Sequence, residues 1–320
     1  MKKEVYFYFD VINNPGFGHY SRCSVLNSHL KKRKIKTFLL LLKDINLNKF
    51  KEFDVYKYKN LNLQKKRNIL IIDDYKISSN KILLLKKYFN YIFYIEDHPS
   101  KKKNINAIIN SNYRIKEKYY DKKKKIKYFL GTDYKLIREI KVKNKNKNKK
   151  GLTISFGGGE VFNRIKKILD LTLSHLINLN YKKQIDIFIN LNKNQKKFFK
   201  KFENLKINIK KPSSEYYKKL LNSHFCISTL GVQHDEILKK KIPAIFLKID
   251  TNQKYNFEIS KRINSDFTFD TKKLNKDNFL KALNRINRKK NRIKIIKNYK
   301  KIKMGNKVYK IINFILDRMA

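Results

Sequence analysis

Residues 7–23 read FYFDVINNPGFGHYSRC. An apolar run from Val5 to Phe9 has the length and composition of a buried strand. It stops at Asp10 and passes through a polar loop carrying Pro15. The chain then crosses Gly16 and Gly18 and enters a segment with Leu26 and Leu30 at helical spacing, so the pattern is strand, glycine loop, helix. Such a loop aims unpaired backbone N–H groups and the positive end of a helix at whatever lies above it, an arrangement suited to an anion. His19 sits at the mouth of that helix, where an imidazole is placed either to move a proton or to cap the helix.

The loop gains weight from the scarcity of glycine. The 320 residues include 9 Gly, and a chain this poor in glycine keeps it mainly where φ is positive or backbones approach closely. Three places stand out: Gly16 with Gly18, the run Gly157, Gly158 and Gly159, and Gly231.

The same alternation continues along the chain. Strands are expected at Thr37–Leu42, Asn68–Ile72, Tyr91–Ile95 and Ala107–Ile109, with helices over Ser21–Lys34 and, behind a serine cap, Ser79–Phe89. Residues 141–150, KVKNKNKNKK, carry like charge without apolar periodicity and read as a linker. A second series follows: strand 152–156 with its glycine turn, helix 163–177, strand 185–189, helix 213–222, strand 225–228 and strand 244–247. The tail from 298 to 318 reads as amphipathic helix. Continuous apolar strands alternating with amphipathic helices indicate parallel sheets covered on both faces. The expected fold class is α/β: two Rossmann-type parallel-sheet domains, residues 1–148 and 149–300, followed by a C-terminal helix over 301–320.

Composition narrows the function classes. Hydrophobic content of 41% and aromatic content of 13% are those of a folded chain. No apolar run approaches the roughly 18–20 residues of a membrane span, and the N-terminus shows no signal core, so a soluble cytoplasmic protein is expected. The formal net charge of +52 would ordinarily argue for nucleic acid. Here the lysines are spread over the whole chain, no groove-reading or single-strand motif accompanies them, and a compositional bias explains them better. A positive field still raises the encounter rate of an anionic small molecule. Cys23 and Cys226 have neither metal-ligand spacing nor the pattern of a disulfide framework.

The residues carry a sharper likeness. GFGHYSRCSVLNSHL at 16–30 resembles the GxGHxxRxxxLA element of the hydrolases that cleave UDP-2,4-diacetamido-2,4,6-trideoxy-β-L-altropyranose in pseudaminic acid biosynthesis. That family is related to GT-B glycosyltransferases of the MurG type. Further matches follow in the family's order: IIDDY at 71–75, IEDH at 95–98, AIINSNY at 107–113, YFLGTDYKLIRE at 128–139, TISFGGGEVFN at 153–163, and ISTLGVQHDEIL through IPAIFLKIDTNQ at 227–253. The likeness covers roughly residues 5–265.

The resemblance implies a GT-B-like chain whose two domains face a central cleft. It implies inverting hydrolysis of the sugar C1–O bond to free sugar and UDP, with no metal and no cofactor. The partner expected is the UDP-sugar substrate rather than nucleic acid, and a monomer is expected. His19 is the candidate base. Gly16, Gly18, Arg22, Asp73, Tyr75, Asp97, Asn110, Asn252 and Gln253 are candidate substrate-binding residues. Arg22 has a phosphate or a strand-end carboxylate such as Asp10 or Asp73 as alternative partners, while Asp73, Tyr75, Asp97 and Asn110 have loop capping as theirs. Ser155, Gly157, Gly158, Gly159 and Gly231 are expected at the diphosphate and Glu236 at the ribose hydroxyls. Where the family has Gly-Gly-Ser-Thr before that acid, this chain has Leu230, Gly231, Val232 and Gln233. The rival readings are a glycosyltransferase of the same fold using a UDP-sugar and a basic nucleic-acid-binding protein.

Overall fold

The computed structural model describes residues 3–9, 18–41, 53–61, 67–100, 104–120, 126–139, 151–157, 161–213 and 215–319. Asp10, Gly16, Gly158, Gly159 and the 141–150 stretch lie outside them. The chain divides into two compact units, Met1–Arg138 with Lys303–Ala320, and Glu139–Ile302.

In the first unit β1 (Glu4–Phe9), α1 (Gly18–Lys32), β2 (Lys36–Leu41), β3 (Asp54–Lys57), β4 (Arg67–Asp73), α2 (Ser79–Lys86), β5 (Phe89–Ile95), β6 (Ala107–Asn110) and β7 (Lys127–Leu130) follow in order. The strands form one sheet in the order β3-β2-β1-β4-β5-β6-β7, parallel at every pairing. Helices and tail cover both faces, which is why the central strands are continuously apolar; Val5, Tyr6 and Phe7 are wholly buried. The chain runs outward from β1 through β2 to β3, then returns to the other side of β1 with β4. Connections from β1 and β4 therefore leave in opposite directions, and the crevice between their C-terminal ends is a topological switch point. Phe9 pairs with Asp73 across it.

The second unit repeats this plan. It contains β8 (Leu152–Ser155), α3 (Phe162–Asn178), β9 (Ile185–Phe188), α4 (Lys193–Lys196), β10 (Ile207–Lys210), α5 (Glu215–Asn222), β11 (Phe225–Thr229), α6 (Val232–Lys240), β12 (Ala244–Lys248), α7 (Lys254–Asn264), β13 (Thr268–Asp270), α8 (Lys276–Asn287) and α9 (Lys289–Tyr299). The sheet order is β10-β9-β8-β11-β12-β13, again parallel. Its switch point lies between β8 and β11, where Ser155 pairs with Ser228.

The tail differs from the continuous helix expected over 298–318. α9 ends at Tyr299, and the chain turns at Gly305, whose φ of 64° is left-handed. Gly305 N donates to Thr132 O and Lys307 N to Asp133 O, both at 2.9 Å. α10 (Val308–Asp317) then returns to the first unit, burying Val308, Ile311, Ile312 and Ile315 in the core that contains Phe7, Leu26, Leu30 and Phe93. Among the described residues no helix is long and apolar enough to cross a membrane.

Candidate functional site

The first switch point gathers five of the sequence-selected side chains. β1 and its loop deliver α1, which places His19 in its first turn and Arg22 one turn later, on the same face. β4 ends on Asp73, with Tyr75 two residues on. β5 ends at Ile95 and presents Asp97.

His19 Nδ1 lies 2.7 Å from Asp73 Oδ1. Arg22 donates from Nε to Asp73 Oδ2 at 2.9 Å and from Nη2 to Asp73 Oδ1 at 2.8 Å. Its Nη1 donates to Asp97 Oδ1 at 2.8 Å and its Nη2 to Tyr75 Oη at 2.5 Å. The Tyr75 hydroxyl in turn donates to Asp97 Oδ2, and its ring meets the His19 ring edge-on at 4.7 Å between centroids. Asp73 is wholly buried, whereas His19 keeps 14% of its side chain exposed.

One guanidinium between two carboxylates sets the electrostatics. Burial alone would lower the Arg22 pKa, but Asp73, Asp97 and Tyr75 outweigh it, and the group is held well above its ordinary value. Burial would raise Asp97, yet Arg22 and the Tyr75 hydroxyl hold it below the usual carboxylate range. Desolvation, with the neighbouring carboxylates, pushes the Tyr75 phenol well up, so it remains a donor. Burial first, then Asp73, raises the adjacent Cys23 thiol.

Asn110 stands one layer back. It is wholly buried, donating from Nδ2 to Tyr120 Oη at 2.9 Å and accepting from Asn112 N at 3.2 Å. Asn112, for which a substrate contact or loop capping is expected as for Asn110, donates to the Asp97 carbonyl at 2.5 Å. Asn110 thus supports the loop that carries Asp97. Gly18 opens α1; Gly16 is outside the described residues.

In the second unit Ser155 Oγ donates to Gln233 Oε1 at 2.9 Å across the switch point, and Ser228 Oγ reaches the same oxygen at 3.5 Å. Gly157 follows with φ 86°, where a Cβ would be strained although it would touch nothing within 4 Å. Gly231 precedes α6 at φ −83°, so its glycine is not required by left-handed backbone; a Cβ there would also meet open space. Glu236, buried on α6, accepts from Tyr217 Oη at 2.9 Å. Gln253 accepts from Ile249 N at 2.9 Å, and Asn252 is exposed. Gln233 and Tyr217 were not selected from sequence, because neither lies at a strand end or in a glycine turn. Buried His234 contacts Asp235 Oδ1 at 2.9 Å and Ser260 Oγ at 2.7 Å, tying α6 to α7.

No protein-family model matches the chain. It is 31% identical over 189 residues to an uncharacterised protein of Methanocaldococcus jannaschii, a match covering 50% of this chain and 37% of that protein. The chain thus spans little more than a third of that relative's length. Among solved structures, Acinetobacter baumannii MurG is similar at a TM-score of 0.67 and 9% identity, over 98% of this chain and 99% of that one. The UDP-GlcNAc 2-epimerase of Neisseria meningitidis, bound to UDP-GlcNAc, is similar at 0.61 and 12%, over 98% and 99%. Likeness at these identities establishes the fold, which is GT-B-like with two Rossmann-type parallel-sheet units.

Proposed function

We propose that this GT-B-like chain is a UDP-sugar hydrolase. It would cleave a UDP-linked 2,4-diacetamido-2,4,6-trideoxyhexose to free sugar and UDP, without a metal and with inversion, as a step of nonulosonic (pseudaminic) acid synthesis. The observation that carries this reading is a partly exposed imidazole anchored at the β1/β4 switch point on a wholly buried carboxylate. Inverting hydrolysis needs a group that takes a proton from water on the face opposite the leaving group, and His19 is that group. Tyr75 and Asp97, with Gly16 and Gly18, serve the sugar. Support for the nucleotide comes from the second switch point, where Gly157 and Gly231, which precedes α6, are proposed to offer backbone donors for the diphosphate, with Ser155 beside them turning its hydroxyl from Gln233 to the phosphate; Gly158 and Gly159 are proposed for the same group. Glu236 offers its carboxylate to the ribose while Tyr217 holds Oε1, and Asn252 and Gln253 complete the substrate contacts. The fold shared with an epimerase bound to UDP-GlcNAc fits the same nucleotide.

The test is incubation of pure protein with the UDP-sugar, EDTA and no acceptor, with UDP release followed by chromatography and the freed anomer by NMR. Prompt stoichiometric UDP with the inverted anomer is expected. A glycosyltransferase of the same fold is the second reading, favoured by the whole-length likeness to MurG; UDP release only upon addition of an acceptor would establish it.

A further inference from the structure

We propose that Asp73 is a positioning residue, which locks the neutral His19 ring in the tautomer with its proton on Nδ1 and its lone pair on Nε2, with Arg22 bracing Asp73. The inference rests on the hydrolase reading for its catalytic consequence, though not for the ring's protonation.

Among the described residues, every side-chain hydrogen bond of Asp73 is with a nitrogen. Oδ1 faces His19 Nδ1 at 2.7 Å and Arg22 Nη2 at 2.8 Å, and Oδ2 faces Arg22 Nε at 2.9 Å. Arginine nitrogens only donate, so the pair of oxygens is held as a double acceptor in the fork geometry typical of bidentate pairs. At 2.7 Å, Nδ1 must then donate, since a ring lone pair and a carboxylate lone pair would repel at that distance.

One contact competes with this assignment. Arg22 Nη2 also lies 3.1 Å from Nδ1, and Nδ1 could in principle accept from it. Nη2 has two hydrogens, and shorter contacts claim both: Asp73 Oδ1 at 2.8 Å and Tyr75 Oη at 2.5 Å. The 3.1 Å separation is therefore two donors converging on Oδ1. A neutral ring protonated on Nδ1 has its acceptor on Nε2, the atom pointing away from Asp73.

Asp73, wholly buried and with both oxygens engaged, is thus assigned to His19 rather than to a substrate hydroxyl. The same arrangement gives Arg22 a bracing role in place of a phosphate contact. It holds both oxygens of the carboxylate, meeting Oδ1 beside the ring and Oδ2 beyond it, and the edge-on Tyr75 ring limits imidazole rotation.

The experiment uses the intact chain labelled with ¹⁵N-histidine at about pH 8, where an ordinary histidine is neutral. Long-range ¹H–¹⁵N correlation identifies the protonated ring nitrogen, and the His19 signals among the six histidines are assigned by their loss in His19→Ala. Parent protein is expected to show the proton on Nδ1. In Asp73→Ala the ring loses its acceptor, and Arg22 Nη2, 3.1 Å from Nδ1, is released to donate to that nitrogen. The proton should then move to Nε2, and kcat for UDP release should fall by about 10² to 10⁴ with the Kd for UDP unchanged. A parent ring protonated on Nε2 alone, or on both nitrogens, overturns the proposal, as does an Asp73→Ala variant with unaltered tautomer and kcat. The parent measurement requires no variant to fold. If the Nδ1 tautomer is found and shifts in Asp73→Ala, but the parent releases no UDP from the sugar nucleotide, the positioning role stands and the hydrolase reading falls.

Discussion

Arg22 Nη1 donates to Asp97 Oδ1 at 2.8 Å while its Nε holds Asp73, so a single side chain on α1 joins the ends of β4 and β5. The loops that follow adjacent parallel strands have no backbone ladder between them, and this cation, with the Tyr75 hydroxyl on Asp97, supplies the connection.

Its removal should therefore be costly. Arg22→Met leaves the wholly buried Asp73 without two of its donors, and loss of one partner of a buried pair costs about 3–5 kcal/mol. Urea unfolding should show that loss. Arg22→Lys, which keeps the charge but cannot fork, should fall between parent and Arg22→Met; equal midpoints for all three would show the bridge to be energetically idle.

Asp97 predicts the acid limb of the stability curve. Its folded pKa is depressed, chiefly by Arg22 against the effect of burial, so it contributes stability that is present above its unfolded value near 3.9 and is lost as pH falls through the folded value. Thermal melts from about pH 6 downward should fall more steeply for the parent than for Asp97→Asn, and the difference should vanish above about pH 6 apart from a constant offset.

α10 makes the first unit depend on the end of the chain. Ile311 and Ile315 are wholly buried against the first core, and an isoleucine truncated to alanine in such a place costs about 2–5 kcal/mol. Ile311→Ala should lower the melting temperature, with limited proteolysis cutting first within residues 1–138. Cuts confined to residues 139–302 would contradict this packing.

How far the sequence foretold these features depends on what each residue answers to. The central strands were legible because burial on both faces demands continuous apolar runs, as in Ile69–Ile72. The edge strands β3, β7, β10 and β13 were not: DVYK at β3 is largely exposed, and a strand paired on one side only needs no such run. Helices α7 and α8 were missed as well, with polar and charged residues dominating their sequences. At the site, the glycine loop and strand-end acids marked His19, Arg22, Asp73, Tyr75 and Asp97 as neighbours. Their division of labour was not readable, because whether a carboxylate meets substrate or an imidazole depends on distances of a few tenths of an ångström. Gln233 was noticed only as a departure from a motif; its bond to Ser155 requires the fold.

The nucleotide assignment makes a selective prediction. Of UDP, CMP, GDP and ADP, UDP alone should raise the melting temperature, by an amount equivalent to about 2.7 kcal/mol at a hundredfold excess over Kd. Glu236→Ala should abolish that shift. A comparable shift with ADP or GDP would remove uridine specificity from the proposal.

His19→Ala separates chemistry from binding. The ring is largely buried against Asp73, Arg22 and Tyr75, but it belongs to the first unit, whereas the residues proposed for UDP belong to the second. The UDP-induced melting shift should therefore persist in the variant. Loss of a general base lowers rate by about 10² to 10⁴, so UDP release from the sugar nucleotide should drop by that factor at saturating substrate, and KM should change little. A variant as fast as the parent would take His19 out of the chemistry. A variant that loses the UDP shift as well would mean that the imidazole acts in binding, and the assignment of base to one unit and nucleotide to the other would have to be abandoned.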